Sequence, residues 1–301
     1  MGVMVVGSVA FDSIRTPYGE AEDILGGSAT YFSVAASWFA PVRVVAVVGE
    51  DFEDRHLQVF QSRAIDTAGI ERAPGRTFRW RGEYSQDMNE ARTLETQLNV
   101  FEQFQPKIPP SHASTEFLFL GNIHPALQLH VRRQLPGATL VAADSMNFWI
   151  VKTPRELAQT LKAVDVLIIN EGEAKMLSGR QNLRQAARAI QAMGPRKLVV
   201  KRGEYGVALF NDGDAFSAPA FLLDEFKDPT GAGDTFAGGF MGHLARSKDL
   251  SDANMRRAVV YGSVMASFAV EDFGLRRLLA LTAEDIESRV HQFIRLTHFD
   301  V

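Results

Sequence analysis

The chain has 301 residues, which suits one large α/β domain carrying an insertion or two ordinary domains. Its 46% hydrophobic and 23% charged residues describe a globular protein and exclude disorder, collagen-like repeats and low complexity. The absence of cysteine removes disulfides, thiolate metal sites and cysteine nucleophiles, and a formal charge of −4 with no evident basic patch argues against nucleic-acid binding.

Residues 3–7 are a β-branched run and predict a strand. The apolar stretch 1–11 has neither a basic flank nor a cleavage site, so no leader is expected. The apolar stretch 34–48 is broken by Pro41 and Arg43, so no membrane span is expected, and a cysteine-free chain fits the cytoplasm. A polar excursion over 11–25 precedes a predicted helix over 28–39. A buried strand over 42–48 leads into a helix over 54–64, with Leu57, Phe60 and Ala64 at helical spacing. In 76–101, Phe78, Trp80 and Tyr84 fall on even positions between charged residues, which predicts a strand with one aromatic face. The excursions 11–25 and 76–101 together predict a small accessory sheet, either a lid or a peripheral layer packed on the body.

Strands over 117–120, 139–143 and 166–169 alternate with helices over 125–135 and 154–163. Helices through 178 and over 183–193 follow, then strands over 197–201 and 207–210 and a hairpin turn at 211–214. The last third predicts helices over 234–245, 251–270 and 283–297. Continuous apolar strands alternating with helices imply a mostly parallel, doubly wound sheet flanked by helices on both faces. With no repeat and no linker, 1–301 reads as a single α/β domain.

The segment Asp228-Pro-Thr-Gly-Ala-Gly-Asp234 opens a helix. Gly231, Ala232 and Gly233 leave backbone N–H groups uncovered at a positive helix end, which makes a cradle for an oxyanion such as phosphate. Asp234 stands at the same end, where it is placed to stay ionised and to accept a proton from a hydroxyl. Asp is also an ordinary helix cap, and glycine-rich turns can serve packing alone. Gly238 and Gly239 follow inside the helix, where each costs about 1 kcal/mol against alanine, so backbone or ligand must approach closely there.

The segment 228–234 resembles the C-terminal signature of the ribokinase-like, or PfkB, family of carbohydrate and nucleoside kinases. Other matches run in order over nearly the whole chain: Gly26-Gly27 resembles the family's double glycine, Asn170-Glu-Gly-Glu173 its N-x-x-E motif, and Gly203-Glu-Tyr-Gly206 its nucleotide-side turn. The resemblance implies a ribokinase-like fold with a small β-sheet lid. It implies Asp234 as catalytic base, with Gly231, Ala232 and Gly233 as the anion hole. Asp228 and Thr230 would lie near the nucleotide and, in many family members, a monovalent cation such as K+. Asn170 and Glu173 resemble the pair that organises Mg2+ and phosphate, Glu173 acting on the metal through water, although Asn followed by Glu three residues on is also a capping box. Asp12 resembles the aspartate that accepts hydrogen bonds from substrate hydroxyls, and Gly26, Gly27 and Ser28 would line the acceptor.

The chain departs from the family pattern in three places. Ser28-Ala-Thr-Tyr31 stands where a substrate-binding asparagine is common. Lys201 replaces a threonine and either reaches phosphates or points to solvent, and Gly49-Glu-Asp51 lacks a following glycine. Phe78, Trp80, Tyr84, Tyr31 and Phe148-Trp149 would stack on a base, or else pack the lid or join two lids in a homodimer. His124 is assigned no role.

No G-x-G-x-x-G follows the first strand and no Gly-Lys dipeptide occurs, which argues against nicotinamide-dependent and P-loop enzymes. The expectation is a Mg-ATP-dependent kinase of a hydroxymethyl group on a nucleoside, adenosine-like, or on a sugar. The alternatives are a sugar kinase of ribokinase or fructokinase type and a non-catalytic ligand-binding regulator on the same fold.

Overall fold

The β-branched and apolar runs of the sequence, those over Val3–Val6, Phe117–Leu120 and Leu140–Ala143 buried throughout, fold as strands. In the computed structural model, which describes residues 2–211 and 213–298, these are β1 (Val3–Val6), β2 (Ala10–Thr16), β3 (Gly19–Gly26), β4 (Val42–Val48), β5 (Asp66–Arg72), β6 (Phe78–Tyr84), β7 (Ala91–Gln97), β8 (Phe117–Leu120), β9 (Leu140–Ala143), β10 (Val166–Asn170), β11 (Lys197–Lys201), β12 (Val207–Asn211) and β13 (Asp214–Ala218). The helices are α1 (Ser28–Ala36), α2 (Asp54–Gln61), α3 (Pro125–Gln134), α4 (Asn147–Lys152), α5 (Pro154–Leu161), α6 (Glu171–Ser178), α7 (Leu183–Gln191), α8 (Ala232–Ser247), α9 (Asp252–Ala269), α10 (Arg276–Ala280) and α11 (Ala283–Thr297).

Nine strands form the main sheet in the order β13-β12-β11-β10-β9-β8-β1-β4-β5. Pairing is parallel from β11 to β5, and β12 and β13 add an antiparallel edge. The predicted turn at 211–214 joins that last pair; Asp212 lies outside the described residues. Alternation sends Val166 and Ile168 of β10 to one core, and Leu167 and Ile169 to another. On the first face α1, α8 and α9 pack together. A Cβ on Gly238 would fall 2.3 Å from the Phe32 carbonyl oxygen, and one on Gly239 would fall 2.9 Å from Met265. Helix backbones, not a ligand, are what these two glycines admit.

The excursions form a second sheet of order β3-β2-β6-β7, with β2 and β6 parallel and the outer pairs antiparallel. The strands β5 and β7, the short α4 and α10, and β13 were not among the predicted elements. β5 and β7 are exposed over most of their length, so their sequences carry no buried periodicity. The chain leaves β1 toward β4 and β5 on one side and returns to β8 on the other. That reversal makes β1 the switch point, where the carboxyl ends of parallel strands open a crevice.

Candidate active site

The glycine loop meets that crevice at the N-terminus of α8. Gly231 caps the helix with φ +74°, and a Cβ there would fall 2.4 Å from the Tyr31 ring, so only glycine allows the loop to lie on Tyr31. Asp228 is fully buried and accepts from the Thr230 N–H at 2.9 Å through one carboxylate oxygen and from the Gly274 N–H at 3.2 Å through the other. Its carboxylate is thus committed to holding the loop. Burial raises its pKa, and the bonds from Thr230 and Gly274 oppose that rise.

Lys201, at the carboxyl end of β11, points inward rather than to solvent: its Nζ lies 2.6 Å from where a Cβ on Gly233 would stand. It brings a positive charge to the helix end and to three carboxyls. Burial pushes Asp234 up to about 6 against the lowering charge of Lys201, so the helix terminus does not hold it at an ordinary value, yet it is ionised at neutral pH. Burial likewise raises Glu173, again opposed by Lys201. Asp144, directly after β9, is raised by burial and by the charge of Asp234. Its Oδ1 and the neighbouring Ser145 Oγ are buried without a protein partner among the described residues. Asp144 was not among the predicted site residues, although it directly follows β9 at the carboxyl end of the main sheet.

The capping-box reading of Asn170 and Glu173 is realised in the structure. The Asn170 N–H donates to Glu173 Oε2 at 2.8 Å and the Glu173 N–H to Asn170 Oδ1 at 2.7 Å, a capping box on α6 that faces Lys201. Asn170, Lys201, Gly203, Gly206, Ala232 and Gly233 line one cavity of about 540 Å³. Its far wall is apolar, with Phe221, Leu222, Phe226 and Val270.

A second group of predicted site residues surrounds Asp12, whose carboxyl feels the charge of Asp234. Asp12 is buried, receives a hydrogen bond from the Gly27 N–H, and is pushed up to about 7 by burial and by the charges of Asp228 and Asp234. Its Oδ2 occupies the place a Cβ on Gly26 would need, 1.9 Å away. Gly27 has φ +91°, and a side chain there would meet the Ser8 carbonyl. Ser28 is turned toward Ser8: its Oγ accepts from the Ser8 N–H at 3.1 Å while its own N–H donates to Ser8 Oγ at 3.0 Å. From the small sheet Tyr84 reaches the loop, where Thr230 Oγ1 donates to its hydroxyl oxygen at 3.1 Å.

Comparison with known proteins gives a family match, described as pfkB family carbohydrate kinase, over residues 2–280. The chain belongs to this family. It is 28% identical over 258 residues to the cytidine kinase of Thermococcus kodakarensis, covering 84% of this chain and 91% of that one. In fold it is similar to the nucleoside kinase of Methanocaldococcus jannaschii, with TM-score 0.78 and 18% identity over 97% of this chain and 99% of that one. A provisional ribokinase II from E. coli, solved with ATP and Mg2+, superposes with TM-score 0.77 and 18% identity over 98% and 99% of the two chains.

In this pfkB kinase the aromatic residues divide. Phe78 stacks on Phe101 at 5.2 Å, and Phe101 on Phe104 at 5.7 Å, so Phe78 anchors the lid to the body instead of offering a stacking face. Trp80 covers Gly82, donates to Thr93 Oγ1 at 3.2 Å and packs with Ile14 and Phe273. Tyr31 is the buried floor of the glycine loop. Trp149 donates to Asn122 Oδ1 at 2.8 Å, and His124 caps α3 by accepting from the Ala126 N–H. Among the described residues no helix is long and apolar enough to cross a membrane.

Proposed function

We propose that this kinase transfers the terminal phosphoryl group of ATP, as its Mg2+ complex, to the hydroxymethyl group of a nucleoside, with Asp234 as general base. The observation that carries the reading is the meeting of Lys201 Nζ, the N-terminus of α8 and the buried carboxyl of Asp234 between two half-sites. The donor occupies the cavity lined by Asn170, Lys201, Gly203 and Gly206, with its base against Phe221 and Val270. The acceptor lies beside Asp12 with its hydroxymethyl oxygen toward Asp234.

An alcohol is a weak nucleophile at neutral pH. A carboxylate with a value near 6 is a fitting acceptor for its proton, and such a base contributes on the order of 10² to 10⁴ in rate. The N–H groups of Gly231 and Gly233 receive the charge that spreads over the phosphoryl oxygens, whereas the Ala232 N–H, expected in the same hole, donates to the Pro229 carbonyl at 3.1 Å; Lys201 adds a fixed cation. Asp228 and Thr230 hold that loop in shape, and the same loop is where a monovalent cation such as K+ would act.

The donor set fits Mg2+. Among the described residues no cluster of three or more acidic or His side chains forms a cage, while Asp144 Oδ1 is a buried, unpartnered acceptor and Glu173 is close by. That suits an ion carried mainly by phosphate and water, with Glu173 and Asp144 as outer partners. When bound, it supplies neutralisation of the donor phosphates.

A nucleoside is preferred to a free sugar because the Thermococcus relative, matched over most of both chains, is a cytidine kinase. The carboxylate of Asp12 suits the two vicinal hydroxyls of ribose. With ATP as donor, the setting is cytoplasmic, and self-association is assigned to the lid, whose β7 edge exposes Leu94. Coupled ADP release over cytidine, other nucleosides, ribose and fructose tests the reading. Turnover with a nucleoside is expected, and turnover with sugars alone would replace the substrate class.

A further inference from the structure

The lid hairpin does more than cover the acceptor. Between β6 and β7 its tip crosses to the other half-site, where Asp87, Met88 and Asn89 line the same cavity as Asn170, Lys201, Gly203 and Gly233. Met88 is only 4% exposed although its neighbours in the tip are exposed, and it adopts φ +53°, a conformation side chains rarely take. The turn is fixed from within: Met88 N–H donates to the Ser85 carbonyl at 3.1 Å, and Ser85 Oγ and the Asn89 N–H both donate to Asp87 Oδ1.

Asn89 faces Gly203 across the cleft. A Cβ on Gly203 would fall 2.7 Å from Asn89 Oδ1, so the glycine, with φ +56°, leaves room for the amide. Among the described residues the Asn89 side chain makes no hydrogen bond of its own. A neutral amide beside Lys201 and the α8 terminus, with two free N–H donors, is chemically matched to phosphate oxygens.

We infer that Asn89, at the tip of the lid hairpin, is a donor-binding residue whose side-chain amide contacts the donor's phosphate chain. The inference rests on the proposed placement of the donor in this cavity. One hairpin then closes over both substrates: Tyr84 at the end of β6 meets the acceptor side through Thr230, and Asn89, five residues on, meets the donor.

The test uses the full-length protein with Mg-ATP, reading donor affinity by calorimetry and both KM values by ADP release. Asn89→Ala is expected to weaken Mg-ATP binding and raise the donor KM by roughly tenfold, the scale of one lost hydrogen bond to a charged group. Asn89→Asp, which places a negative charge there, is expected to weaken both further, with the acceptor KM changing less than the donor KM in each variant. Both changes lie in an exposed turn, so folding is preserved and checked by melting temperature. Unchanged donor affinity in both variants, or an effect confined to the acceptor KM, overturns the inference. If the wild-type chain binds Mg-ATP but phosphorylates no acceptor, the proposed reaction fails while the calorimetric comparison still decides the role of Asn89. If it binds no nucleotide, both fail.

Discussion

Thr230 Oγ1 donates a hydrogen bond to the hydroxyl oxygen of Tyr84 across 3.1 Å, tying the lid to the loop that precedes α8. The two residues are 146 positions apart in the chain, and burial raises the Tyr84 phenol so that it stays protonated at every working pH. In the proposed reading this contact holds the small sheet over the acceptor. Tyr84→Phe keeps the ring and removes the bond, so the lid stays down for a smaller fraction of the time. The expected result is an acceptor KM raised about twofold to tenfold, the range of one net hydrogen bond, together with more ADP release in the absence of acceptor. Steady-state kinetics with and without acceptor measure both, and an unchanged KM would mean the bond plays no part in closure.

Lys201 lowers the pKa of Asp234, Glu173 and Asp144, which burial raises. Lys201→Met removes the lowering charge, so Asp234 takes up its proton at a higher pH than about 6. The acidic limb of the kcat/KM profile is expected to move to higher pH, and the donor KM to rise. An acidic limb that stays in place would separate Lys201 from Asp234.

Asp12 provides a stability test with a definite sign. Its folded value of about 7 lies above the ordinary carboxylate value, so the folded chain binds the extra proton between about pH 4 and pH 7 and the unfolded chain does not. Stability therefore falls as pH rises through that window and stays lower above it. Asp12→Asn retains an acceptor for the Gly27 N–H and carries no charge. It is expected to be more stable than the wild type at pH 8, on the order of a few kcal/mol, and equal to it near pH 4, by urea unfolding at the two pH values. Lower stability at pH 8 would show that the charge itself is needed by the fold.

Much of the site was legible because its motifs are contiguous. The loop 228–234, Asn170 with Glu173, and Gly203 with Gly206 each carry their chemistry within seven residues or fewer, and the structure brings Asn170, Gly203 and Gly206 to one cavity with Ala232 and Gly233 of the loop. The double cost of Gly238 and Gly239 correctly announced a close approach, but the partners, Phe32 and Met265, are set by how α1 and α9 pack. The direction of Lys201 and the presence of Asp144 were not legible, since each depends on which strand ends the sheet makes neighbours. The even spacing of Phe78, Trp80 and Tyr84 was read correctly as a strand. What each ring touches is decided by tertiary contacts: Phe101 for the first, Gly82 and Thr93 for the second, Thr230 for the third.

The measurement that bears most directly on the central claim compares wild type with Asp234→Asn, recording nucleoside-dependent ADP release and Mg-ATP binding side by side. The variant replaces a buried carboxyl raised to about 6 by a neutral isostere, so the fold and the donor site are retained. The account predicts a fall in kcat on the order of 10² to 10⁴ with donor binding kept within a few-fold. Turnover in the variant close to that of the wild type would remove Asp234 as the base and contradict the account.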